Sequence, residues 1–136
     1  MRRRRPAEVI VVDTSALIAI FQREPEGEAF LQTIVGTEKP LVAAPTRLEA
    51  YIVIHRRFGA KAAEDFEALV ADLNLTVVAF DEHLLATAKD AYRRFSQGRH
   101  GLNFGDCFAY GLAKARDLPL LFKGEDFAAT DVKRAL

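Results

Sequence analysis

The chain has 136 residues, half of them hydrophobic and 28% charged, a composition that suits one soluble globular domain and leaves too little length for two full ones. Acidic and basic residues balance at 19 each, but Arg2, Arg3, Arg4 and Arg5 hold four of the cations, so residues 6–136 carry a net charge of −4. An acidic body offers no general case for a nucleic-acid-binding surface, and any such function has to come from a local site. A single cysteine, Cys107, excludes an intramolecular disulfide framework and fits a reducing cytoplasm.

In chain order, residues 1–8 read as a basic, disordered tail and residues 9–136 as one domain. The apolar run at 9–12 is too short for the core of a signal peptide. Asp13, Arg23 and Glu24 interrupt the first candidate for a membrane span, so a cytoplasmic protein with no membrane partner is expected. Four continuous apolar runs, at 9–12, 41–44, 75–80 and 118–122, read as buried strands of a parallel sheet covered on both faces. The intervening segments are long enough for the helical crossovers that parallel strands need. A helix starts near Ser15. Phe30, Leu31, Ile34 and Val35 form one apolar stripe. Leu48, Tyr51, Ile52, His55 and Phe58 form a second, ended by Gly59, which makes His55 a core histidine. Ala63, Phe66, Leu69, Val70 and Leu73 mark another helix, and Leu84, Leu85, Ala88, Ala91, Tyr92 and Phe95 another. The polar loop at 96–103 reads as mobile, with Arg99 and His100 solvated in preference to touching a ligand. Residues 104–115 are apolar nearly all round, as suits a central helix packed on both sides, with Cys107 and Tyr110 in the core.

In open parallel α/β sheets, ligands gather at the carboxyl ends of the strands. Asp13 directly follows the first apolar run, Glu49 lies early in the helix after the second, and Asp126 follows the last by a turn containing Gly124. Asp106 lies in the first turn of the central helix. Each has a bland reading as a helix cap or turn residue, since carboxylates offset the macrodipole and accept orphan amides. Thr46-x-x-Glu49 is a formal capping box and Asn103-x-x-Asp106 is close to one. Jointly they read differently. Two carboxylates about 4 Å apart repel by roughly 4 kcal/mol at an effective dielectric near 20, and a hard divalent cation, Mg²⁺ or Mn²⁺, relieves that. The three histidines and one cysteine lack zinc-ligand spacing. Carboxylate-held metal is the chemistry of nucleases, on RNA or DNA, and of phosphatases. A regulatory phosphoacceptor domain is the rival from another class, with Asp81 and Lys123 as its aspartate and lysine.

The strings Val11-Val12-Asp13-Thr14-Ser15-Ala16-Leu17, Leu48-Glu49, Asn103-Phe104-Gly105-Asp106-Cys107-Phe108-Ala109-Tyr110 and Phe122-Lys123-Gly124-Glu125-Asp126-Phe127 together resemble the PIN-domain ribonucleases, and among them the VapC-type toxins of type II toxin–antitoxin pairs. The resemblance implies a three-layer α/β/α fold with a short, mostly parallel sheet, and hydrolysis of RNA phosphodiester bonds by metal-activated water with Mg²⁺ or Mn²⁺. It also implies a VapB-like antitoxin that blocks the active site, and a homodimer within the assembly. Position by position it assigns the catalytic and metal-holding acids to Asp13, Glu49 and Asp106. The fourth acid of many members falls here on Gly124, which leaves Asp126 as the surrogate and Glu125 behind it. Thr14 and Ser15 are supporting hydroxyls.

Overall fold

The computed structural model describes residues 9–98 and 101–136. The arginine tail, Arg99 and His100 lie outside the described residues. Four strands, β1 (Ile10–Val12), β2 (Pro40–Ala43), β3 (Thr76–Val78) and β4 (Leu120–Leu121), form one all-parallel sheet in the order β3-β2-β1-β4. Each crossover is a pair of helices: α1 (Thr14–Phe21) and α2 (Gly27–Gly36), then α3 (Ala44–Phe58) and α4 (Ala60–Asp72), then α5 (Glu82–Phe95) and α6 (Phe104–Ala115).

Because strand side chains alternate between faces, the sheet feeds two cores. Val11, Leu41, Ala43 and Leu120 pack with Leu84, Ala88, Tyr110 and Leu112 of α5 and α6. Ile10, Val12 and Leu121 pack on the other side with Leu17, Ile34, Ile54 and Phe66, one from each of α1 to α4. The result is the expected three-layer α/β/α arrangement. The free edge of β4 is covered by the C-terminal segment, where Lys133 O accepts from Leu120 N–H at 2.8 Å and Leu120 O accepts from Ala135 N–H at 2.9 Å, which removes an edge that could pair with another chain. Among the described residues no helix is long and apolar enough to cross a membrane.

Three expectations are corrected. The run 75–80 is not a buried strand, since β3 is the sheet edge and Val77 is 49% exposed. The α3 stripe is inverted: Leu48, Tyr51, Ile52 and Phe58 face outward, and α3 buries Thr46, Ala50 and Ile54 instead. His55 is therefore exposed, not a core histidine. The helix carries two apolar-compatible faces at the same period, and the smaller one, with Ala50 at its centre, allows the closer approach to the layer beneath. Val35, Leu85 and Tyr92 are also exposed, although their stripe partners Ile34, Leu84 and Ala91 are buried. The central helix fits its expectation, for α6 buries eight of its twelve residues. Cys107 is buried, and so is Tyr110, whose hydroxyl donates to Asp131.

Candidate active site

The carboxyl edge of the sheet is where the neighbouring strands β1 and β4 deliver the chain into turns. Asp13 leaves β1 in an extended conformation and caps α1, its carboxylate accepting from the Ser15 amide at 3.0 Å and the Ser15 hydroxyl at 2.6 Å. The same hydroxyl accepts from Lys123 N–H at 2.9 Å, which ties the turn after β4 to the turn after β1. Asp13 is thus both the cap of the bland reading and a cleft acid, only 4% exposed.

Glu49 is not a capping residue. Helix α3 begins at Ala44 with Pro45 in its first turn and no side-chain cap, which places Thr46 inside the helix and fully buried. The Glu49 carboxylate instead accepts from the Thr14 hydroxyl at 2.5 Å and lies against Gly105, where an added Cβ would fall 1.7 Å from Oε2. We expect Gly105→Ala to displace Glu49, lowering any activity that depends on it far more than the melting temperature; an unchanged rate would show that Glu49 need not stay where it is.

Asn103 and Asp106 complete a reciprocal capping box at the start of α6. Asp106 Oδ2 accepts from the Asn103 amide at 3.0 Å, and Asn103 Oδ1 accepts from the Asp106 amide at 2.9 Å. Asp126 follows Gly124, whose φ of 88° sets the turn in a region that other residues rarely adopt. Asp13, Thr14, Ser15, Glu49, Asp106 and Asp126 line one cleft of about 300 Å³, together with Asn103, Lys123, Glu24, Ile18, Val53 and Arg57. Glu125 is exposed and does not line it.

Burial pushes the Asp13 carboxyl up to about 6, against the lowering effect of its Ser15 bonds, and the Glu49 charge pushes it further. Burial likewise raises Asp106 to about 7, opposed by the Asn103 amide and reinforced by the charges of Asp13, Asp126 and Glu49. Asp106 thus feels all three other acids. Among the described residues no ion pair reaches any of the four, because the Lys123 ammonium pairs with Glu24 and, at 3.4 Å, with Glu26. No three His, Cys, Asp or Glu side chains among the described residues are drawn together as a finished metal cage. The donors that line the cleft are hard carboxylate and hydroxyl oxygens, with no imidazole or thiolate among them.

A larger hollow of about 840 Å³, walled by Phe80, Leu85, Tyr92, Phe104 and Phe108, contains no acid. The phosphoacceptor geometry does not form: Asp81 caps α5 by accepting from Leu84 N–H at 3.1 Å beyond the edge strand, and it does not line the cleft with Asp13. The Cys107 thiol is pushed up by burial and by the Asp106 charge, which disfavours the thiolate a nucleophile needs. Sequence reasoning missed Glu24 and Arg57. The 49, 53, 57 spacing on α3 could have found Arg57, whereas Glu24 depends on the turn after α1, where Arg23 has a φ of 53°.

In this parallel α/β/α sandwich four carboxylates, Asp13, Glu49, Asp106 and Asp126, meet in one cleft at the carboxyl edge of the sheet, a set of oxygen donors of the type that suits a hard cation. The chain belongs to the PIN domain family, whose sequence model matches residues 10–133. It is 41% identical over 125 residues to Ribonuclease VapC30 of Mycobacterium tuberculosis, covering 90% of this chain and 95% of that one. It is 42% identical over 125 residues to a Ribonuclease VapC of Mycolicibacterium smegmatis, covering 90% and 97%. In fold it is similar to the crystal structure of M. tuberculosis VapC20, a Sarcin-Ricin loop cleaving toxin, with a TM-score of 0.74 at 17% identity over 90% of this chain and 95% of that one. It also resembles VapBC2 from Rickettsia felis bound to a promoter DNA fragment, with a TM-score of 0.74 at 9% identity over 93% and 96%.

Proposed function

We propose that residues 9–136 form one nuclease domain, a Mg²⁺- or Mn²⁺-dependent endoribonuclease that acts as the cytoplasmic toxin of a toxin–antitoxin pair. The observation that carries the chemistry is the pair of buried carboxylates, Asp13 and Asp106, in one cleft with no cation paired to either among the described residues. Membership of the PIN family and the ribonuclease names of relatives that align over nine-tenths of this chain support RNA as the substrate. An open set of carboxylates suits Mg²⁺, which keeps several waters and binds through one or two carboxylates and substrate phosphates.

Asp13 and Asp106 would hold the cation, with Glu49 and Asp126 beside them. When bound, the cation supplies the activated water and offsets the charge that builds on the phosphodiester. The chain's own part is orientation. Ser15 fixes the Asp13 carboxylate from two donors, Thr14 fixes Glu49, Gly105 leaves room for it, and the Asn103 amide fixes Asp106.

The partners are an RNA strand, a VapB-like antitoxin and a second copy of the chain. An arginine from the antitoxin can pair bidentately with the cleft carboxylates, and an amphipathic segment suits the exposed Leu48, Tyr51, Ile52 and Phe58 of α3. The test is cleavage of single-stranded RNA in Mn²⁺, lost in chelator and suppressed by the antitoxin, with a DNA strand of the same sequence left uncut. Cleavage that ignores the chelator, or a DNA strand cut as fast as RNA, would contradict this reading. Within the same assay Asp126→Asn should slow cleavage and Glu125→Gln should not. Wild-type rates for both variants would mean that three acids suffice.

A further inference from the structure

A cleft lined by five carboxylates, of which only Glu24 has a cation paired to it among the described residues, repels the polyanion it has to admit in a chain with an acidic body, so a nuclease of this kind needs a cation on the path of the strand. Among the described residues two cations line the cleft, Lys123 and Arg57. The Lys123 ammonium is engaged by Glu24 and Glu26. Arg57 is exposed and makes no ion pair or hydrogen bond among the described residues.

Its place on α3 is informative. Glu49, Val53 and Arg57 are spaced by four residues and share one face of the helix, all three lining the cleft. Eight residues advance roughly 12 Å along the axis, which exceeds the screening length of about 8 Å at physiological salt. Among the described residues Arg57 makes no ion pair with Glu49, which leaves its guanidinium available to a ligand. Between them the wall is apolar, with Val53 and Ile18, and leaves room for a sugar or base.

We propose that Arg57 grips a backbone phosphate flanking the bond that is cut, so that the strand runs from the acids along α3 toward its C-terminal end. This rests on the nuclease reading above. The guanidinium fork suits a phosphate, and a contact one or more nucleotides from the reacting centre contributes to binding more than to the chemical step. The bland alternative is that a last-turn cation only offsets the helix dipole. Arg56 shares that last turn and does not line the cleft, which makes it the control.

The experiment titrates a fluorescent single-stranded RNA of about 20 mixed nucleotides onto the full chain carrying Asp106→Asn, alone or combined with Arg57→Gln or Arg56→Gln, between about 50 and 200 mM salt. Cleavage is followed in parallel in chains that keep Asp106. Arg57→Gln is expected to weaken binding about tenfold and to flatten the log–log salt slope by about 0.7, the share of one phosphate on a single strand. A DNA strand of the same sequence should show the same loss. In cleavage KM rises and kcat holds, while Arg56→Gln leaves all of these unchanged. Equal effects from the two variants, no effect from Arg57→Gln, or a parent chain that does not bind the strand would overturn the proposal. Arg57-dependent binding in a chain that never cuts RNA would overturn the nuclease reading, and with it the place beside a cut bond, while the phosphate contact itself would stand.

Discussion

Asp106→Asn and Asp13→Asn should each reduce RNA cleavage by roughly a hundredfold or more while the chain stays folded. The amide is nearly isosteric with the carboxylate and keeps an oxygen that can accept the Asn103 amide at the start of α6, or the Ser15 donors at the start of α1. It loses the charge that would hold a cation. In cation-free buffer near neutral pH the variants should melt at or above the wild-type temperature, because each removes a charge whose burial is unfavourable. Asp106→Ala, which also leaves the Asn103 amide without its acceptor and keeps only the Asn103 half of the capping box, should cost on the order of 1 kcal/mol. Circular dichroism melts run alongside the cleavage assay separate the two roles. If the Asn variants unfold, capping is what these acids contribute.

Millimolar Mn²⁺ should raise the melting temperature of the wild-type chain, with a larger rise at pH 7.5 than at pH 5. A cation at 100 times its dissociation constant adds roughly 2.7 kcal/mol, on the order of 10 °C for a domain of this size. The pH dependence follows from the two raised carboxyls, which move from 3.8 when unperturbed to about 6 for Asp13 and about 7 for Asp106. The fold favours their protonated forms. Without metal, the stability they contribute is fully present below pH 3.8 and is lost as pH rises through 6 and 7. A cation must displace those protons at pH 5 but meets ionised carboxylates at pH 7.5, which reverses the trend. Identical melts in chelator and in Mn²⁺ at pH 7.5 would show that the cleft takes no cation.

Much of the frame is legible in the residues alone. Continuous apolar runs too short for helices, separated by helical periods, allow few arrangements besides a parallel sheet with helices on both faces, and the rule that ligands gather at the carboxyl ends of strands led to Asp13, Glu49 and Asp126, with Asp106 added from the first turn of the central helix. All four line the cleft. Asn103 and Asp106 were readable as a cap because a capping box is local, closed by bonds between residues three apart.

What the tertiary structure decided is whatever depends on which face of an element meets another. Thr46 and Glu49 have the same spacing as Asn103 and Asp106, yet α3 starts three residues earlier than a Thr46 cap would place it and turns Glu49 toward Thr14, 35 residues away in sequence. The stripe of Leu48, Tyr51, Ile52 and Phe58 has the helical period, but period alone does not say which of two faces is inward. That Asp126 lines the cleft and Glu125 does not rests on a turn at Gly124 held in place by the distant Ser15 hydroxyl, and the pairing of Lys123 with Glu24 closes across 99 residues. Sequence determines the local conformations and the chemical types available. Which of them meet is set by close packing across the sheet, where a side chain excluded from one face must occupy another.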